Sequence, residues 1–183
     1  LIEKVKSEIK IPFHAMIRPR GGNFVYNDLE FEAMKVIIGK CKNLKVEGVV
    51  FGILKENNSV HNKRCAELIT LSKPMNATFH RAFDLIKNTN QALEETIECG
   101  FQRILTSGQE PSALEGTEKI LKLINKAQDR IIIMPGGGVR GENISELKKR
   151  TGAKEFHSAA FNSPTVLADE NEIRGMKRNI FLS

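Results

Sequence analysis

Ile131-Ile132-Ile133-Met134 runs directly into Pro135-Gly136-Gly137-Gly138-Val139-Arg140. Four consecutive apolar residues, three of them β-branched, suit a strand buried on both faces, because a half-buried strand would carry a polar residue at every second position. The glycines that follow strip the turn of side chains, so backbone N–H groups can face a ligand at positive φ. Asn143 is then placed to cap a helix running to about Arg150. Loops of this kind hold phosphates and other anions. The alternative is a tight strand-to-helix turn and nothing more.

Upstream, the same strand-then-helix unit recurs. The spacing predicts strands over Pro12 to Ile17, Glu47 to Gly52, Asn76 to Phe79 and Arg103 to Thr106, and a last one over Lys154 to His157. Helices are expected over the opening residues, from Asn27 or Asp28 to Asn43, from Asn62 to Leu71, from Asn90 to Cys99 and from Ala113 to Lys126. Taking Ile17, Phe51, Phe79, Thr106, Met134 and His157 as strand ends, the intervals are 34, 28, 27, 28 and 23 residues. Near-equal βα units imply right-handed crossovers and a parallel sheet, and favour a TIM-type (β/α)8 barrel over a doubly wound sheet. A full barrel takes about 250 residues, so this α/β chain is expected to form an incomplete one of about six βα units. Residues 1–161 would be the partial barrel, and 162–183 a divergent tail with at most one helix.

With 183 residues, 40% of them hydrophobic, the chain can bury a real core. The formal charge of +6 comes from Lys and Arg spread along the whole sequence without aromatic interleaving, which argues for solvated helix faces rather than nucleic-acid binding. No apolar run approaches the ~20 residues of a membrane span, so a cytoplasmic protein is expected, with the nucleus also open. Cys41, Cys65 and Cys99 are odd in number and far apart, which encodes neither a disulfide framework nor a zinc ribbon. Cys41 falls on an apolar stripe with Phe31, Met34, Ile37 and Leu44, and Cys99 follows Leu93 and Ile97, so buried reduced thiols are expected.

In a βα barrel, ligands lie at the C-terminal ends of the strands. The residues at those ends are polar: Arg18 and Arg20, then His80, Arg81 and Asp84, then Thr106 and Ser107, the glycines Gly136, Gly137 and Gly138, and finally His157 and Ser158. Arg18, Arg20, Arg81, the three glycines and Ser158 would suit an anion, with His80 or Asp84 moving protons if the site is catalytic. Structural roles compete with this reading. Arg18 could cap carbonyls, Arg81 and Asp84 could pair with each other, and His14 could be a packed core side chain.

Five stretches arrive in order: Met16 to Tyr26, Gly48 to Gly52, Thr78 to Asp84, Leu105 to Gln109 and Ile133 to Arg140. Together they resemble the CutC family, the copper homeostasis proteins, from about Ile9 to Ala160. The resemblance implies a (β/α)8 barrel and a cytosolic role in copper trafficking or tolerance, with Cu(I) binding and no settled enzymatic activity. Soft Cu(I) prefers thiolate, thioether and imidazole. The donors at hand would then be Met134, His80, His157, Cys41, Cys65 and Cys99, with Met16. Set beside that family, the chain reads as truncated at its start, and a homo-oligomer is plausible. His61 stands where relatives carry an acidic helix-start residue. The alternative is a barrel enzyme acting on a small phosphorylated or carboxylated metabolite.

Overall fold

A computed structural model describes residues 1–161 and 167–181. The architecture is α/β. Among the described residues, α1 (Ile2–Glu8) comes first and helices then alternate with five strands, β1 (His14–Met16), β2 (Gly48–Phe51), β3 (Asn76–Phe79), β4 (Arg103–Thr106) and β5 (Ile132–Pro135), ordered in the sheet as in the chain. This is the arrangement of an α/β barrel, here with five strands. The chain divides into two compact units, 1–103 and 104–183, and residues 162–166 and 182–183 of the predicted tail lie outside the described residues.

In the first unit, β1, β2 and β3 pair in parallel, with His14 opposite Gly48 and Gly48 opposite Asn76. Side chains alternate across a strand, and one face carries Ala15, Ile17, Val49, Phe51, Ala77 and Phe79, all buried. Phe101 lies 4.9 Å from the Phe51 ring and 5.2 Å from the Phe79 ring, and Phe83 lies 6.3 Å from Phe79. The helices cover this face. Helix α2 (Asp28–Asn43) starts with a capping box in which Asn27 and Glu30 exchange bonds of 2.9 Å. It buries Phe31, Met34, Ile38 and Cys41, so Ile38 takes the place expected of Ile37. Helix α3 (Asn62–Ser72) is capped by His61 after all, whose Nδ1 accepts the Arg64 N–H at 3.5 Å. Helix α4 (Thr89–Cys99) ends at the left-handed Gly100 and buries Ala92, Leu93 and Thr96. Cys99 is therefore half-buried rather than in the core: Thr96 occupies the inward turn, its hydroxyl donating to the Ala92 carbonyl at 2.6 Å.

In the second unit, α5 (Thr117–Ala127) begins four residues later than the sequence suggests, because Ser112 to Gly116 form a turn. Gly116 sits against the Ser107 carbonyl so closely that a Cβ would overlap it. The strand expected to be buried on both faces is not: Ile133 and Pro135 are buried, Ile132 and Met134 half-buried. The reason is that the predicted sixth strand reduces to a single parallel bridge, Gly136 with His157, where the His157 N–H donates to the Pro135 carbonyl at 2.9 Å. Helix α6 (Ile144–Thr151) follows the glycine loop and ends at left-handed Gly152, and α7 (Glu170–Phe181) packs on α6. No helix among the described residues is long and apolar enough to cross a membrane.

Two glycine substitutions test this packing in opposite directions. A Cβ on Gly39, inside α2, meets nothing within 4 Å, so Gly39→Ala should stabilise by about 0.5–1 kcal/mol. Gly116→Ala should destabilise by about 2 kcal/mol through overlap with backbone. Urea denaturation of the two variants against the wild type measures both.

Candidate functional site

The face of β1–β3 opposite the phenylalanines carries His14, Met16, Val50, Asn76 and Thr78, and is far less covered: Met16 is 54% exposed. By the same two-residue period Arg18, Gly52 and His80 continue it past the strand ends. Here the structure brings two predicted site residues together. The Phe24 ring contacts both, with its centroid 4.6 Å from the Arg18 guanidinium and 4.7 Å from the His80 ring. Arg18 also donates from Nη2 to the Gly22 carbonyl at 2.7 Å, the carbonyl-capping role weighed above.

His80 is 4% exposed. Its Nδ1 accepts the Ala82 N–H at 3.3 Å, which leaves the ring proton on Nε2, and Nε2 has no partner among the described residues. Burial, with the nearby Arg18 charge adding to it, pushes its pKa down to about 4. At neutral pH the ring is thus an uncharged N–H donor. Gly52 makes room for it, since a Cβ there would stand 2.9 Å from Nδ1. Two more buried polar groups lie near these residues: the Thr78 hydroxyl, which lacks a partner among the described residues, and the Tyr26 phenol, which makes no full hydrogen bond there but lies against the Arg18 guanidinium. Burial pushes the Tyr26 pKa up against the pull of Arg18 and Arg20. Neither residue was singled out in the sequence reading, although Tyr26 is the single tyrosine and Thr78 precedes His80 by one strand period.

The other cations are paired. Arg20 bonds Glu30 at 2.5 Å, reaches the Val25 carbonyl at 2.7 Å and lies 5.2 Å from the Tyr26 ring. Arg81 pairs with Asp84 at 2.7 Å, and the Asp84 carboxylate is largely buried by that contact. Of the thiols, Cys41 is buried in α2 and pushed up by burial. Cys65 and Cys99 sit on the adjoining helices α3 and α4, close enough that a thiolate at Cys99 would raise the Cys65 pKa. Their Sγ atoms face the carbonyls of Ile53 at 3.7 Å and Asn62 at 3.6 Å. Burial pushes Cys65 far up, and burial with Glu95 and Glu98 pushes Cys99 to about 11.

In the second unit the glycine loop is built largely as predicted. Gly137 and Gly138 have φ of 108° and 70°, and among the described residues no acceptor meets their N–H groups. The Gly136 N–H donates to the Thr106 carbonyl at 2.9 Å. Asn143 makes no cap bond. Its side chain instead stitches the loop, accepting the Arg140 N–H at 2.9 Å and donating to the Gly138 carbonyl at 2.8 Å. Ser158 donates to the Val139 carbonyl at 2.6 Å, and Arg140 Nη1 reaches Ser158 Oγ at 3.3 Å. Met134 is half-buried on β5, and His157 adjoins Gly136. Among the described residues no three His, Cys, Asp or Glu side chains cluster as a metal site.

The CutC family model matches residues 1–162. The chain belongs to the CutC family. It is 44% identical over 163 residues to the Mus musculus copper homeostasis protein cutC homolog, and 43% identical over 160 residues to the Homo sapiens one. These matches cover 89% and 87% of this chain but 60% and 59% of those proteins, so the chain spans about three-fifths of the relatives' length. The crystal structure of the putative CutC from Streptococcus agalactiae superposes with a TM-score of 0.81 at 36% identity, covering 85% of this chain and 78% of that one. A structure described as "QR15, an Aldolase" matches with a TM-score of 0.69 at 16% identity, covering 100% of this chain and 80% of that one, a likeness of fold alone.

The buried imidazole of this CutC chain makes stability depend on acid. Because the folded pKa lies below the unfolded one, the neutral ring's contribution is intact above about pH 6.5 and is lost as pH falls toward 4. The loss should approach about 3 kcal/mol over that window. Urea midpoints measured from pH 7 to 4 should therefore fall more steeply for the wild type than for His80→Gln.

Proposed function

We propose that this chain serves copper homeostasis in the cytosol as a Cu(I)-binding protein, with Cys65 and Cys99 as the donors. The relatives' names support the copper role, and the packing of α3 on α4, which brings Cys99 close enough to raise the Cys65 pKa, is the observation that supports this pair. Cu(I) is soft and takes thiolates in preference to oxygen ligands. Two thiolates satisfy it in a linear arrangement, so the site requires no third side chain.

The chemistry sets the strength and the pH dependence. Binding exchanges two S–H protons for one Cu(I), giving a bis-thiolate of net charge −1 and two protons released to solvent. Both thiols resist ionisation, Cys99 with a pKa of about 11 beside Glu95 and Glu98. Affinity is therefore modest at neutral pH and rises steeply in base.

Chelator competition with reduced protein measures this directly. One Cu(I) per chain should be taken up, with affinity rising about 100-fold per pH unit between pH 6 and 8. Cys65→Ser or Cys99→Ser should weaken uptake by at least about tenfold and halve the proton release. No uptake by the wild type, or wild-type affinity retained in either variant, overturns the assignment.

A further inference from the structure

We propose that the C-terminal ends of β1–β3 form a binding site for a small carboxylate, held by Arg18, Tyr26, Thr78 and His80. Four buried side-chain polar atoms lack partners among the described residues, and three of them belong to this set: Tyr26 Oη, Thr78 Oγ1 and His80 Nε2. All three side chains are more than nine-tenths buried, with exposures of 4%, 1% and 4%. A buried polar atom without a partner has given up its water and gained nothing in return. Thr78 and His80 stand one strand period apart on this face, and Tyr26 and His80 both lie close enough to Arg18 to feel its charge, so a ligand beside Arg18 would complete them.

The atoms define what that ligand is. Nε2 of His80 can only donate, because Nδ1 already accepts from Ala82. The two hydroxyls can donate as well, and Arg18 adds a guanidinium whose Nη2 donates to the Gly22 carbonyl and which also lies against the Tyr26 phenol. The complementary group is an oxygen anion. Its charge follows from the surrounding pairs: Arg20 is neutralised by Glu30 and Arg81 by Asp84. One net cation over neutral donors matches a carboxylate monoanion better than a phosphate dianion, whose second charge would stay uncompensated. Phe24 packs against both Arg18 and His80, so both donors are set in place before the ligand arrives. Arg18 itself is exposed and gives the ligand its entry.

Metal-free, 15N-labelled protein titrated with glycolate, and separately with inorganic phosphate, tests the site apart from any copper. Glycolate should shift the His80 Nε2–H and Arg18 Nε–H resonances saturably at about 10 mM or below. Arg18→Gln, a surface change whose folding is checked by its melting curve, should weaken binding roughly tenfold or more, and Thr78→Val should weaken it less. Three results overturn the proposal: no saturable shift with glycolate, unchanged affinity in folded Arg18→Gln, or tighter binding of phosphate than of glycolate.

Discussion

The alternation of side chains across three parallel strands governs the first unit. Ile17, Val49, Phe51, Ala77 and Phe79 must share one face because the strand period is two, and the Phe51, Phe79, Phe101 and Phe83 rings close that face against the helices. Slipping any strand by one residue would put phenylalanines in water and polar groups in the core. The same constraint sends His14, Met16, Thr78 and His80 to the opposite face. The polar surface at the strand ends is thus the other side of the hydrophobic core.

At those strand ends, burial changes what familiar residues do. An exposed histidine would titrate near neutrality, but His80 is shielded by Phe24, Phe79 and the Gly52 backbone, and it stays uncharged. A neutral imidazole with its proton on Nε2 is a hydrogen-bond donor without the repulsion that a second cation beside Arg18 would bring. Arg20 and Arg81, equally cationic in the sequence, are held by Glu30 and Asp84 and contribute structure to their loops.

Copper chemistry and oxygen-anion chemistry call for different atoms. The Cys65 and Cys99 thiols lie on helices α3 and α4, with Cys65 Sγ facing the Ile53 carbonyl just past β2, whereas the donors at the strand ends are oxygen- and nitrogen-borne protons. In the second unit the side chains around the glycine loop hold the loop itself: Asn143, Arg140 and Ser158 all bond its backbone. The N–H groups of Gly137 and Gly138 are left outward by their positive φ.

The βα alternation, the strands over Asn76–Phe79 and Arg103–Thr106, and the family are legible in the order of amino acids alone. These are local matters of periodicity, turn chemistry and motif order, which a linear reading captures. It also found Arg18 and His80, since strand ends in a βα unit face one way. It did not reveal that Ser112 to Gly116 turn before α5, because that depends on Gly116 meeting the Ser107 carbonyl across the fold. Nor did it show that the segment before His157 makes one bridge instead of a strand, leaving Ile132 and Met134 half-covered. Partners were the main thing only the tertiary structure decided. Which cations are neutralised, which thiols adjoin, and which buried hydroxyls lack a bond are questions of distance between residues far apart in the chain. Composition and spacing carry no term for such distances.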